Sequence, residues 1–200
     1  MLKDLIVVGY YTLATPYEIE AKKTIASCNK FGLKHFFKPI PNQGNWQKNT
    51  RYKANFLLEM LEKYPNNKLL YIDCDAEILK LPILLDQLKD YDIAVRWQDF
   101  RWRKNECLSG TIFLSSNERT KELCRKWADK NIQEGNNATS FEQWNLGIVI
   151  NEMKKNGLKD YNLPPEYTMI FDSMQQMYPD KEAVIIHWQA SRKYKNSVNI

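Results

Sequence analysis

The sequence predicts an α/β fold, a single domain with a mixed, mostly parallel central sheet flanked by helices. Three observations carry this. Along residues 1–75, short apolar, β-branched runs alternate with segments of helical period, the order β-α-β-α-β. Each helical segment ends on a breaker, Gly32 or Pro65-Asn66-Asn67. The 200 residues are 44% apolar, enough for a real core in one compact unit.

The elements follow in order. Leu5 to Tyr10 is the first strand, followed by a Tyr-Thr-rich turn and a helical pattern on Tyr17, Ile19, Ile25, Cys28 and Phe31. Leu33 to Pro39 reads as the second strand. Trp46 to Tyr64 reads as a helix with Phe56, Leu57, Met60 and Leu61 on one face. The apolar run from Leu69 to Ile78 is the third strand and carries Asp73 and Asp75. Beyond it regularity decays and strand order becomes mixed: a short helix over Pro82 to Lys89, strands at Ile93 to Arg96 and Thr111 to Leu114, and a helix over Asn117 to Asn131 carrying Leu123 and Trp127. Ser140-Phe141-Glu142-Gln143 has the form of a capping box, Ser140 as N-cap and Gln143 reaching back, with Gly157 closing that helix. Ala183 to His187 is the final strand, and a basic tail follows.

Composition narrows the function classes. A net charge of +5 and a pI near 8.9, with the cations spread along the chain, tilt towards an anionic partner: nucleotide phosphates, nucleic acid or an acidic membrane surface. Cys28, Cys74, Cys107 and Cys124 form no Cys-x-x-Cys pair, which argues for reduced, mostly buried thiols and against a thiolate zinc site. No apolar run approaches the roughly 20 residues of a membrane span, and the opening run is too short for a signal peptide, so the expected location is cytoplasmic. Arg96 to Lys104 interleaves aromatics with cations. It reads either as a surface that stacks a sugar or base beside phosphates, or as a solvated loop.

The chemistry centres on Asp73-Cys74-Asp75. Side chains two apart on a strand share a face, which sets two carboxylates roughly 7 Å from one another at the strand's mouth. Like charges so placed call for a cation, and the carboxyl ends of strands are where open α/β sheets bind ligands. The competing reading is a pair of carboxylates capping a turn. Asp90-Tyr91-Asp92 repeats the pattern before the apolar run Ile93-Ala94-Val95, and reads as a turn and strand entry.

Taken together, Tyr11-Thr12 and Tyr17 after the first strand, Lys53 on the following helix, Asp73-Cys74-Asp75, Ser109-Gly110-Thr111, Glu142-Gln143, and His187 with Lys193 resemble a nucleotide-sugar-dependent glycosyltransferase of the GT-A fold. The pattern is closest to the small retaining enzymes that include glycogenin and galactinol synthase. The resemblance implies a hexosyl- or pentosyltransferase that uses Mn²⁺ or Mg²⁺ and a nucleoside-diphosphate sugar, a UDP-sugar first. Asp73, Asp75 and His187 would hold the ion. Tyr11, Thr12, Tyr17, Lys53, Asp73, Ser109 and Gly110 would bind the donor, and Glu142, Gln143 and Lys193 would act at the reacting sugar. Residues 1–75 would form the nucleotide-binding half and 76–200 the sugar and acceptor half with a metal-binding tail. The acceptor stays open among a glycan, a lipid, a protein and a modified nucleic-acid base, as does oligomeric state. Ala190 stands where the family has glycine, so the loop after His187 is expected to approach the diphosphate less closely; Tyr194-Lys195 replaces the family's aromatic pair, and Leu108 its usual polar residue. With retention the leaving phosphate takes the acceptor's proton; with inversion Glu142 or Asp172 would be the base.

Two alternatives share the motif. A haloacid-dehalogenase-type Mg²⁺ phosphatase also places Asp-x-Asp after an apolar strand, but on its first strand and with threonine where this chain has Glu77. A non-catalytic nucleotide- or nucleic-acid-binding module could keep the fold without turnover. His35 has no comparable company and reads as structural.

Overall fold

The computed structural model describes residues 2–100, 103–133 and 141–194. In chain order the elements are β1 (Leu5–Thr12), α1 (Tyr17–Lys30), β2 (His35–Ile40), α2 (Trp46–Lys63), β3 (Lys68–Ile72), β4 (Ala76–Ile78), β5 (Ile93–Phe100), β6 (Arg103–Ser115), α3 (Glu118–Gln133), α4 (Glu142–Lys154), β7 (Asp160–Asn162), β8 (Met169–Ile170), α5 (Ser173–Met177), β9 (Ile185–His187) and α6 (Ala190–Tyr194). One sheet has the order β2-β1-β3-β6-β5-β7; a smaller one is β4-β9-β8. In the large sheet β1 runs parallel to β2 and β3, and β5 to β7, while β6 is antiparallel to both of its neighbours. The result is the mixed, mainly parallel sheet that the sequence predicts.

Alternation along β1 and β3 divides the core. Ile6, Val8 and Tyr10 with Leu69 and Tyr71 pack against α2, α3 and α4; Leu5 and Val7 with Leu70 and Ile72 face Cys28 of α1 and Leu85 on the other side. Both faces are covered, which is why these strands read as continuous apolar runs. Asn45 caps α2, its side chain accepting from Lys48 N–H at 2.8 Å. Gly157 closes α4 with φ +88, a backbone state that strains other residues.

Four expectations need correction. The third strand ends at Ile72, so Asp73 and Asp75 lie in the turn after it. The segment 96–104 belongs to a β-hairpin: β5 continues to Phe100 and β6 starts at Arg103, because Asp99 and Asn105 tie the two strands beside register shifts. Arg101 and Trp102 lie outside the described residues. Arg96 is spent on Gln98, Leu163 O and Tyr178, and the Trp97 indole donates to Asp160. At α4, Ser140 lies outside the described residues, and Gln143 reaches Glu106 on β6 at 2.5 Å instead of its own helix end. Pro82 to Lys89 contains only a short 3-10 turn, Ile83–Gln87.

Candidate active site

The carboxyl ends of β1 and β3 open onto a cavity of about 470 Å³. Where β3 stops, Asp73 to Ala76 form a turn closed by Ala76 N–H donating to Asp73 O at 3.0 Å. The turn, not strand alternation, brings the two carboxylates together. β9 pairs antiparallel with β4, setting His187 opposite Ala76. One ligand atom each from Asp73, Asp75 and His187 then lie within 4.8 Å of one another.

Neighbours hold each member. The Asp75 Oδ2 accepts the Ala190 N–H at 2.7 Å, and Asp75 O accepts the Trp188 N–H at 3.2 Å. The residue expected to loosen the loop therefore anchors it to the motif through its backbone. His187 Nε2 shares a hydrogen bond with Thr111 Oγ1 at 2.8 Å. Gly110 makes room for the pair: a Cβ there would stand 2.9 Å from His187 Cε1 and 3.1 Å from both His187 Nδ1 and Asp73 Oδ2. Ser109 and Thr111 flank it on β6, pointing the same way by strand alternation.

Beside this cluster lies a second network. Lys53 projects from α2 with only 2% of its surface exposed. Its Nζ reaches Asp73 Oδ1 at 3.1 Å, Glu142 Oε1 at 3.0 Å and Ser109 O at 3.1 Å. Ser109 Oγ donates to Glu142 Oε1 at 2.7 Å, and Tyr71 OH donates to Asp73 Oδ1 at 2.7 Å. Lys53 is thus neither solvated nor free, and Glu142 at the start of α4 faces inwards to it.

Electrostatics follow from burial and pairing. Burial works against the Lys53 ammonium, but the Asp73 and Glu142 charges overcome it and hold its pKa above the ordinary lysine value. Burial, and after it the Asp73 charge, pushes the Asp75 carboxyl up to about 6. Burial lowers the His187 imidazole to about 4, so it is neutral at pH 7 and keeps a lone pair for a cation. Two carboxylates and a neutral imidazole form a donor set suited to a hard or borderline divalent ion.

Tyr11, Thr12 and Tyr17 line the β1 side of the cavity, as do Trp46 and Phe141, whose rings meet edge to face at 6.0 Å. Ser109, Gly110 and Gln143 line it too. Lys193 does not: it is exposed on α6, its ammonium 5.3 Å from the centre of the Tyr194 ring, while Arg192 turns towards the cavity and pairs with Asp172. Lys195 lies outside the described residues. Sequence reasoning missed Tyr71, Thr111 and Thr168. Tyr71 and Thr111 each stand two residues from a singled-out position on the same strand face, and that period could have found them; Thr168 carries no sequence signal.

Residues 21–199 match the family of nucleotide-diphospho-sugar transferases. No curated protein matches significantly. Among solved structures, a glycosyltransferase involved in the glycosylation of the major capsid of PBCV-1 is similar over 97% of this chain and 99% of its own, with a TM-score of 0.71 and 15% identity. GlyE of Streptococcus pneumoniae TIGR4 is similar with a TM-score of 0.66 and 14% identity over 98% of this chain, which spans 57% of the GlyE chain. At such identities the neighbours speak for the fold, whereas the family match covers most of the sequence and includes the two aspartates, the histidine and the buried lysine. The chain belongs to the nucleotide-diphospho-sugar transferases, enzymes that move a sugar from a nucleotide carrier.

Proposed function

We propose that this protein is a metal-dependent glycosyltransferase using a UDP-sugar with retention, with Mn²⁺ or Mg²⁺ held by Asp73, Asp75 and His187. The observation that carries the proposal is the convergence of those three side chains within 4.8 Å on the wall of the cavity. The site fits such an ion: Asp75 is crowded by Asp73 without a cation of its own, and His187 is neutral. One imidazole in the set favours Mn²⁺. When bound, the ion supplies electrostatic stabilisation of the charge that builds on the departing diphosphate.

The chain's own groups do the rest. Tyr11, Thr12 and Tyr17 receive the base and ribose in the nucleotide-binding half, residues 1–75. Lys53 fixes Asp73 and Glu142 in one network, so the carboxylate beside the diphosphate and the one beside the sugar keep a set spacing. Ser109 and Gly110 let backbone approach the sugar, Gln143 faces it, and Lys193 reaches the diphosphate from the tail of the second half. Retention is supported by the engagement of Glu142 with Lys53 and Ser109, and of Asp172 with Arg192 and the Ser173 N–H. An inverting reaction needs a free carboxylate base; here the leaving phosphate takes the acceptor's proton on the same face. Among the described residues no helix is long and apolar enough to cross a membrane.

The test is a melting curve with UDP and Mn²⁺. Saturating ligand raises the wild-type midpoint by about 5 °C, from mass action on a domain of this size. Asp75→Ala abolishes the shift; an equal shift in the variant removes the metal from the proposal.

A further inference from the structure

We infer that the part of the cavity remote from β1 is the acceptor subsite, and that it takes a neutral sugar whose hydroxyl pairs with Thr168. The inference rests on the transferase reading above and names its second substrate. Thr168 is 2% exposed and lines the cavity, yet its hydroxyl has no hydrogen-bond partner among the described residues. Buried polar atoms are almost always paired, and one left open on a cavity wall marks where a ligand supplies the partner. It sits just before β8, whose Ile170 pairs with His187, so it borders the aspartate-histidine cluster on the side opposite Tyr11 and Thr12. A donor running from the β1 side across the cluster would direct its sugar here.

The surroundings select the substrate class. Phe100, Leu108 and Ile170 give an apolar wall of the kind that the C–H face of a sugar ring covers. Gln143 and Glu106, joined at 2.5 Å, offer an amide and a carboxylate to hydroxyl groups. Charge excludes an anion: among the described lining residues the only cations are Lys53, engaged by Asp73 and Glu142, and Arg192, engaged by Asp172. A phosphorylated acceptor would meet the Glu106 carboxylate with no unpaired cation to offset it.

The test measures nucleoside diphosphate release from UDP-glucose and UDP-galactose with Mn²⁺, alone and with methyl β-glucoside, methyl β-galactoside or glucose 6-phosphate. The neutral glycosides are expected to raise release saturably and glucose 6-phosphate to leave it unchanged. Thr168→Val is expected to raise the glycoside KM about tenfold, the loss of one hydrogen bond between uncharged partners, while the donor KM stays within twofold and Thr168→Ser restores the glycoside KM. Stimulation by the phosphate ester equal to that by the glycosides, no stimulation by either, or an unchanged glycoside KM in a Thr168→Val protein of wild-type melting temperature overturns the inference alone. Absence of any turnover of either donor, with or without sugar, overturns the transferase reading and the inference with it.

Discussion

Asp73-Cys74-Asp75 and Asp90-Tyr91-Asp92 share one sequence pattern and have opposite fates. The second pair leads into β5, and its Asp92 is met on every side: Arg119 at 2.8 Å, Asn117 Nδ2 at 2.9 Å and the Lys159 N–H at 2.8 Å. Burial raises the Asp92 carboxyl, but those donors outweigh it and hold it below the ordinary range. The first pair follows β3 and is left short of positive charge. Asp73 shares Lys53 with Glu142, while Asp75 has one backbone donor for its side chain and is pushed up to about 6. A carboxylate whose charge is answered within the fold serves stability; one whose charge is left open beside a cavity is available for binding.

The sharpest way to break this contrast is to neutralise one aspartate of each pair without changing shape. Asp75→Asn is expected to cut transfer roughly 10³-fold, a loss on the scale of removing one preorganised electrostatic contact, and to leave the urea midpoint close to wild type. Asp92→Asn is expected to do the reverse, costing about 2 kcal/mol of stability, discounted for the partly exposed Arg119, with kcat preserved. Steady-state rates and urea melts on both variants decide; matching profiles would dissolve the distinction.

A smaller effect sharpens the geometry of the first pair. Gly110→Ala would place a methyl group against His187 and Asp73, and overpacking of this kind costs about 1–3 kcal/mol. The expected outcome is Mn²⁺ affinity reduced about tenfold or more by calorimetry, with nucleotide affinity in the absence of metal unchanged. Equal losses in both would mean that the glycine serves the fold and not the cluster.

The smallest effect is one of pH on the second pair. Asp92 has a folded pKa below its unfolded value of about 3.9, so its contribution is fully present above that value and is lost as pH falls through the folded pKa. The stability difference between wild type and Asp92→Asn is therefore expected to stay level from pH 8 to about pH 5 and to shrink below about pH 4. A difference that stays constant to pH 3 would show that shape and not charge makes Asp92 matter.

Legibility in the sequence followed the range of the interactions. β1 to β3 and the two helices between them were readable almost to the residue, because doubly buried strands and amphipathic helices write local periods. The hairpin at Phe100 to Arg103 was hidden by its aromatic and basic composition, and the 3-10 turn after Pro82 by an apolar run too short to fix its period. At the site, the residue types at Asp73, Asp75 and His187 could be named in advance, but the turn that joins the aspartates could not. Lys53 to Glu142 spans 89 residues and is created by the packing of α2 against α4, so no local pattern records it. Glu142 shows the limit well: the capping-box spacing was present, yet Gln143 found a better partner in Glu106.

The hydrogen bond from Ala190 N–H to Asp75 Oδ2 bridges 115 residues, and β4 acquires its first partner only in β9. During synthesis, then, both aspartates leave the ribosome long before the imidazole and the strand that seat them. The centre comes into being at the close of folding, and a chain interrupted before Ile185 would possess the sheet and the buried lysine while lacking the third donor.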